Sequence, residues 1–571
     1  MLIHKVLLHI NSLFKFIVRH RNVIVLCCSI FGFAFFLLSY VLITYLHQPP
    51  NTINMLVGHY FEDYYEYLSF LKQGQQGHIL LHNLFSHDDS STYFTPWWPY
   101  LLFGFISFIL HIHIPPHILY WFMSFILLSA LLAVTYVAIT RLFPDNKFST
   151  SMLALYLIMF STSLFTINFK NGITIIPIDF WYSNGNPFAR YNIGTLHHQT
   201  AHLVFLIGIL YIIYYVNHPH KRKLTIVLLV FSLLLLSLSP PQLFLFWGAY
   251  LVSTLVWIFL KTQKEENLRK KWVNIKRTFL PFSLSCIVCI PFLVLLRKYS
   301  LSAPAYVATT SWDIRNLYFP PFDILALTTG PLFILALLGI PYYFKEVTFA
   351  KILFFFIALI SFLAIAMPVS IFGKNIFTIL GFFNLRMITP HSYIFLGVST
   401  MFLFLKILKK KNVIFVASCI VMLLYVPSIV TLWKQNNAGI YAVGYLQYMP
   451  TDTYKSITSL EKITDGSVIL TSPSSSLGIA VPALTGRKVF IGRTFFTLDW
   501  DKKIEIAKKF YTLTMSSEEA HQFLSKNTIR YIIVFQQETD YLQISQKYGL
   551  HTLSSNNFIT ILSPNEQNSV N

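Results

Sequence analysis

The stretch Gly58-His59-Tyr60-Phe61-Glu62-Asp63-Tyr64-Tyr65-Glu66-Tyr67 groups three acids among aromatic residues, directly after an apolar segment at 22–46. That segment is long enough to cross a bilayer as a helix, and basic residues precede it without a signal-peptide cleavage pattern. Only 12% of the 571 residues are charged, so acids this close together are unusual for the chain. The stretch predicts a membrane protein whose first loop carries ionisable groups at the membrane boundary.

The composition is that of a polytopic α-helical membrane protein. Hydrophobic residues make up 55% of the chain and aromatic residues 17%, and apolar runs of about 20 residues recur along most of it. The net charge of +20 comes from short Lys and Arg clusters between apolar runs, without a nucleic-acid motif. We therefore expect the lipid bilayer, and no nucleic acid, as a partner. About eleven spans are predicted, at 22–46, 118–141, 148–167, 199–217, 224–238, 242–260, 279–296, 322–343, 352–371, 392–406 and 413–433.

The distribution of basic residues predicts the orientation. If the apolar segment 96–114 does not cross, the clusters at 221–223 and 261–277 lie in the cytoplasm, as the positive-inside rule requires. We therefore expect 96–114, which begins Pro-Trp-Trp-Pro, to be an interfacial helix. The prediction is a multi-pass plasma-membrane protein with a cytoplasmic N-terminus and a C-terminal domain outside.

Two domains are predicted. Residues 1–433 form the transmembrane domain, with a first outer loop at 47–117, and residues 434–571 form an extracytoplasmic α/β domain. Within the latter, the segments beginning at Gly466 and Arg530 have the composition of buried strands, and 499–512 and 516–526 that of amphipathic helices. We expect this domain to act as a lid, an acceptor-docking surface or a stabilising unit.

The acids Glu62, Asp63 and Glu66 are candidates for chemistry. On a helix over 58–72 they share one face, and mutual repulsion with partial burial is expected to raise the pKa of at least one of them, which suits a general base. The alternative is a solvated acidic helix face. No carboxylate lies in the interior of a predicted span, since Asp323 stands at the very edge of 322–343. This argues against an ion-driven transporter.

Basic residues near later spans are candidate phosphate partners. They are Arg190 with His197 and His198 in the second outer loop, which also contains Asp179, and Arg386 before a later span. Binding of a phosphate and ordinary interfacial anchoring both remain open for them. Adjacent histidines diverge by about 100° on a helix, so no zinc site is predicted. Asp313 and Arg315 are expected to form a local ion pair.

The order of these motifs resembles that of GT-C fold membrane glycosyltransferases, including protein O-mannosyltransferases and aminoarabinose transferases. Glu62-Asp63 follows the first span, and Thr95-Pro96-Trp97-Trp98-Pro99 then opens the interfacial segment. Arg190 to His198 and Arg386 resemble later motifs of the family, and Leu484 to Arg493 resembles the tail domain of such bacterial proteins. The first loop lacks an Asp-x-Asp, which leaves the need for a divalent cation open.

The resemblance implies a GT-C-type hexosyl or pentosyl transferase that moves a sugar from a polyprenyl-phosphate donor to a glycan, lipid or protein acceptor. It implies inverting displacement, with Asp63 as catalytic base and Glu62 assisting it. Arg190, His197, His198, Arg386, Asp179 and Glu66 make up the implied substrate-binding set. An O-antigen polymerase or ligase and a lipid-carrier flippase or transporter are the alternatives.

Overall fold

A computed structural model describes residues 21–58, 60–93, 95–143, 148–169, 174–178, 185–217, 221–262, 268–437, 444–463, 465–537 and 540–564. The helices of the membrane part are α1 (Arg21–Leu46), α2 (Phe61–Gln75), α3 (Trp98–Ile109), α4 (Pro116–Thr140), α5 (Phe148–Met159), α6 (Pro187–Asn192), α7 (Leu196–Asn217), α8 (Lys221–Leu238), α9 (Pro240–Thr262), α10 (Leu268–Ser300), α11 (Pro304–Arg315), α12 (Phe322–Thr329), α13 (Pro331–Tyr343), α14 (Phe349–Ala366), α15 (Ile376–Leu380), α16 (Ser392–Ile407) and α17 (Lys411–Asn437). The later helices are α18 (Gly444–Gln447), α19 (Thr451–Ser459), α20 (Leu477–Thr485), α21 (Trp500–Tyr511), α22 (Ser517–Lys526) and α23 (Tyr541–Tyr548), and 3₁₀ turns cover Asn384–Met387 and Leu460–Lys462.

The strands are short in the membrane part and longer near the C-terminus. They are β1 (Thr52–Asn54), β2 (Leu81–His82), β3 (Thr92–Tyr93), β4 (Phe165–Asn168), β5 (Thr174–Pro177), β6 (Ser370–Ile371), β7 (Lys374–Asn375), β8 (Tyr448–Pro450), β9 (Val468–Thr471), β10 (Ile529–Phe535), β11 (Leu550–Ser555) and β12 (Ile559–Pro564).

The chain is a multi-pass helical membrane protein. Within the described residues, seven helices are long and apolar enough to cross a bilayer, namely α1, α4, α7, α9, the apolar part of α10, α14 and α17. Such helices bond their own backbone groups, which a bilayer requires because lipid tails offer no hydrogen bonds. These seven correspond to seven of the eleven predicted spans.

The other four predicted spans differ from straight crossings. The helix at 148–167 ends at Met159, and α8 and α16 are shorter apolar helices. The segment 322–343 breaks at Gly330, where α12 and α13 meet at 94°. Gly330 has φ of 74°, which a glycine adopts without strain, and Pro331 starts the next helix. The two helices together are apolar enough for one broken span, and hydropathy alone does not register the break.

The segment predicted as interfacial contains α3, a helix of 12 residues. A helix of that length rises about 18 Å, less than the roughly 30 Å of a hydrocarbon core. It packs on α2 where Gly74 and Gly104 meet, so closely that a Cβ on either glycine would collide with the facing backbone. This crossing fixes the position of the helix that carries the acids.

The C-terminal region contains a sheet with the strand order β11-β12-β10-β9. β9 and β10 are parallel and are joined through α20 to α22, while the other pairs are antiparallel. The strands and the two amphipathic helices expected here are present, and α22 begins with a capping box between Ser516 and Glu519.

The two faces of this sheet pack in different directions. Leu470, Ile532 and Leu562 face a separate core shared with α21 to α23. Ile469 and Ile533 belong to the large core that continues into the membrane part. Side chains of a strand alternate between the two faces of a sheet. One face of this sheet therefore forms the core of the C-terminal domain, and the other face packs against the rest of the protein.

Polar contacts hold the same interface. β1 pairs with β8, and Lys72 forms an ion pair with Glu461 at 2.6 Å. The Asn83 amide donates to the carbonyl oxygen of Phe496, and Lys503 pairs with Asp88 at 2.6 Å. The first loop and the C-terminal domain therefore lie on the same side of the membrane part.

Candidate functional site

A cavity of about 1020 Å³ lies where the C-terminal domain meets the helix bundle. Its walls come from the start of α2, the starts of α7 and α9, the ends of α10 and α11, the 3₁₀ turn Asn384–Met387 and the loop 493–496. The charged lining residues are Glu62, Asp63, Glu66, Arg190, Arg297, Asp313, Arg386 and Arg493. Apolar residues of the helix bundle line another part, namely Phe244, Trp247, Ile290, Leu293 and Val294.

The acids stand at the start of α2. Glu62 and Asp63 occupy its first turn, where the helix dipole favours negative charge. The helix is anchored by its tyrosines, because the Tyr64 hydroxyl donates to Met55 O at 2.8 Å and the Tyr65 hydroxyl to Leu446 O at 2.7 Å. This anchoring holds Glu62, Asp63 and Glu66, here called the acidic face, toward the cavity.

Arg493 from the C-terminal domain reaches all three carboxylates. Its guanidinium contacts Asp63 and Glu66, and its Nε lies 3.8 Å from Glu62 Oε2. The rings of Phe495 and Phe496 flank it at 5.5 and 5.6 Å. Glu66 is only 1% exposed, whereas Asp63 and Glu62 are 36% and 39% exposed. Glu66 is therefore enclosed by Arg493, while the other two carboxylates keep surface for a ligand.

The charge on the acidic face is not balanced, because three carboxylates share one guanidinium. Burial raises the pKa of Glu62, Arg493 opposes that change, and the neighbouring Asp63 adds to it. A carboxyl group with a raised pKa takes up a proton more readily than an ordinary glutamate. The acidic face thus has the electrostatics of a proton acceptor.

Arg190 and Arg386 line the same cavity as the acidic face. Arg386 makes a bidentate contact with Asp313, with Nε to Oδ2 at 2.9 Å and Nη2 to Oδ1 at 2.8 Å. Burial disfavours the charge on Arg386, but Asp313 outweighs it and raises the pKa. The local pair expected between Asp313 and Arg315 is wrong, because the Arg315 Nε donates to Ser311 O instead.

Arg190 differs from Arg386 in its ion-pair partners. Among the described residues, no carboxylate lies within ion-pair distance of its guanidinium. Burial, with repulsion from Arg386, lowers the pKa of Arg190 to about 10, so the side chain is still charged at neutral pH. A partly buried cation beside a second cation is stabilised by an anion, and phosphate suits a guanidinium.

The two histidines that sequence analysis singled out have different surroundings. His197 Nδ1 is hydrogen-bonded to the Tyr100 hydroxyl at 2.8 Å, and Tyr100 stacks on Tyr67 at 4.6 Å. His198 packs on His197 at 4.1 Å, and both rings line the cavity. Asp179 lies outside the described residues. The cavity therefore brings together Glu62, Asp63, Glu66, Arg190, Arg386, His197 and His198.

Arg493 and Asp313 are cavity residues whose roles sequence analysis missed. Arg493 lies 430 residues beyond Asp63, and its segment resembled only a family tail domain. A charged residue after Gly492 in an otherwise apolar and aromatic segment was the one available signal. Nothing in the local sequence connects that segment with the first loop.

A divalent cation does not fit the acidic face in this arrangement. The guanidinium of Arg493 lies against the carboxylate oxygens that would bind such an ion. Within the part of the chain described, no group of three or more His, Cys, Asp or Glu side chains has an arrangement suited to a metal.

No protein-family model matches this sequence, and no curated protein sequence matches it significantly. Among solved structures, the apo oligosaccharyltransferase of Archaeoglobus fulgidus is 13% identical over 88% of this chain and 70% of that chain, with a TM-score of 0.47. The oligosaccharyltransferase AglB of the same archaeon, in complex with an inhibitory peptide and a dolichol-phosphate, is 13% identical over 95% of this chain and 75% of that chain, with a TM-score of 0.42.

Apo ArnT from Cupriavidus metallidurans is also similar, at 12% identity over 93% of this chain and 98% of that chain, with a TM-score of 0.35. These structural neighbours are GT-C fold membrane glycosyltransferases, the family whose motif order this sequence resembles.

Proposed function

We propose that this protein is a membrane glycosyltransferase that moves a sugar from a polyprenyl-phosphate donor to an acceptor hydroxyl or amine. The observation that carries the proposal is that Asp63, Glu62, Arg190 and Arg386 line one and the same cavity. Residues 1–433 would form the membrane domain and 434–571 an extracytoplasmic domain that closes the cavity with Arg493. Transfer would take place on the extracytoplasmic face.

The shape of the cavity supports a lipid-linked donor. The charged part continues into the apolar part between α9 and α10. A second crevice of about 580 Å³ adjoins it, sharing Thr95, Ser237 and Leu296, and is lined mainly by apolar side chains of α8 and α10. A ligand with an anionic head and an apolar chain matches both the charge and the polarity of these surfaces.

The reaction follows from the placement of charge. Asp63 takes the proton of the acceptor group, whose oxygen or nitrogen then bonds to the anomeric carbon of the sugar. The bond from that carbon to the carrier phosphate breaks, and its electron pair leaves with the phosphate. Arg190 and Arg386 stabilise the negative charge on the departing phosphate. Attack opposite the leaving group inverts the anomeric configuration.

The test measures sugar transfer from a radiolabelled polyprenyl-phosphate donor by the protein in membranes. We expect Asp63→Asn to reduce turnover by about 10² to 10⁴-fold, the range for loss of a general base. We expect Arg190→Gln to reduce it by roughly 10²-fold, as for loss of a group that stabilises developing charge. The exposed Asp323 and Arg315 supply matched controls, Asp323→Asn and Arg315→Gln, which should retain turnover.

Three other results would contradict the proposed glycosyltransferase function. Unchanged turnover in Asp63→Asn would remove the proposed base. Activity that survives this change but is lost in Arg190→Gln would favour an O-antigen polymerase or ligase. Movement of the carrier across the bilayer without any covalent change would favour a flippase.

A further inference from the structure

Two buried histidines beside the cavity, His202 and His391, hold ring nitrogens that have no hydrogen-bond partner among the described residues. These are Nδ1 of His202 and both nitrogens of His391, and the residues are 2% and 1% exposed. His202 lines the cavity, and the His391 ring meets it edge-on with centroids 5.0 Å apart. Buried polar atoms are ordinarily satisfied, so nitrogens left without a partner by the described residues point to a polar ligand.

Aromatic packing fixes the orientation of both rings. His391 stacks face to face on Phe205, with centroids 4.5 Å apart and planes 2° apart. The edge of His202 meets Tyr191 at 5.9 Å. Such packing holds the imidazoles in place while leaving their nitrogens available, which is how a preorganised binding subsite is built.

The chemistry of the two imidazoles suits a hydroxyl group. A neutral imidazole offers one donor and one acceptor, which is also what a hydroxyl group offers. Gln242 adds an uncharged acceptor on the same cavity, because its buried Oε1 has no partner among the described residues.

We propose that His202 and His391, here called the imidazole pair, form a subsite that binds hydroxyl groups of a neutral sugar on the donor. This inference rests on the proposed function, since it places the sugar beside the carrier phosphate at Arg190. The arginines bind the anionic phosphate, and the imidazole pair binds the uncharged hydroxyl groups of the sugar. The pair therefore contributes to the choice of sugar rather than to the affinity for the carrier.

The experiment compares binding of bare polyprenyl phosphate with binding of the same carrier bearing glucose, galactose or mannose, using the full chain in lipid nanodiscs. We expect the wild type to bind at least one sugar-bearing carrier about tenfold more tightly than the bare carrier. His391→Phe and His202→Phe should lose that preference and bind the bare carrier within about twofold of the wild type. The exposed His113 supplies the control His113→Phe, which should keep the preference.

His391→Phe is expected to fold because a phenyl ring preserves the stacking on Phe205. His391→Gln, which keeps a donor and an acceptor, should retain more of the preference than His391→Phe. A preference that survives in both phenylalanine variants would overturn the imidazole pair as a subsite, as would equal binding of all carriers by the wild type. Failure of the wild type to bind any carrier, with Arg190→Gln no different, would overturn the proposed function and this inference together.

Discussion

At the residue scale, Arg493 is the side chain on which the acidic face depends. Its guanidinium is 9% exposed and contacts carboxylates from a helix distant in sequence. A buried charge whose partner is removed has lost its compensation, and this is usually more costly than losing an ion pair at the surface. Glu66 is the carboxylate that cannot turn toward solvent when Arg493 is removed.

We therefore predict that Arg493→Met destabilises the protein by about 3–5 kcal/mol, the usual cost of breaking a buried ion pair. The measurement is thermal unfolding in detergent. Arg493→Met combined with Glu66→Gln should recover most of the loss, because no buried charge then lacks a partner. Equal instability of the single and double variants would mean that Glu66 is not the residue left uncompensated.

Glu62 predicts a dependence of stability on pH. Its pKa is raised from 4.5, so the folded state holds a proton that the unfolded state releases. The contribution to stability is complete below about pH 4.5 and is lost as the pH rises through the higher folded-state pKa. Glu62→Gln should thus gain stability relative to the wild type as pH increases and show little difference at acidic pH. Unfolding temperatures across pH 4 to 8 would check this, and a difference that shrinks with pH would contradict it.

At the element scale, sequence predicts what depends on nearby residues. Long apolar segments identified seven membrane helices, and spacing placed Glu62, Asp63 and Glu66 on one face of a helix. The same reasoning treated 322–343 as one span, because hydropathy does not respond to the turn at Gly330. It also paired Asp313 with Arg315, although Arg386 is the partner in the folded protein. Partners brought together by packing distant helices leave no periodic signal in the sequence.

The crossing of α2 and α3 gives a prediction about helix packing. A methyl group at Gly74 would meet the backbone of α3 at Leu101, so Gly74→Ala must push the helices apart. We expect a loss of about 1–3 kcal/mol, typical of overpacking, together with reduced transfer activity because the acidic face moves. Gly32→Ala is the control, since nothing lies within 4 Å of the added Cβ in α1. Similar unfolding temperatures for the two variants would contradict a close crossing.

At the scale of the whole molecule, the C-terminal domain and the first loop act as one unit. The apolar face of the sheet, the β1–β8 pair and the ion pairs of Lys72 and Lys503 all cross between them. Sequence analysis predicted both parts separately, but it gave no indication that the second supplies a side chain to the first. Their association explains why one cavity has walls from residues so far apart in the chain.

The positive-inside pattern predicts which side of the membrane this unit occupies. In a background without the native cysteines, Lys502→Cys on α21 should react with a membrane-impermeant maleimide in intact cells, because Lys502 is 78% exposed. Lys410 is exposed and lies just after the C-terminal end of α16, and Lys410→Cys should react only after the membrane is permeabilised. The reverse pattern of labelling would invert the predicted orientation.

The pairing of Arg493 with Asp63 also has a consequence for synthesis of the chain. The acidic helix leaves the ribosome early, whereas its arginine emerges 430 residues later. At about 5–20 residues per second, that interval lasts tens of seconds, during which the candidate membrane helices that follow α1 are synthesised. A nascent chain interrupted anywhere before Arg493 would carry its acids without their cation, so incomplete translation products are expected to be inactive and subject to quality control.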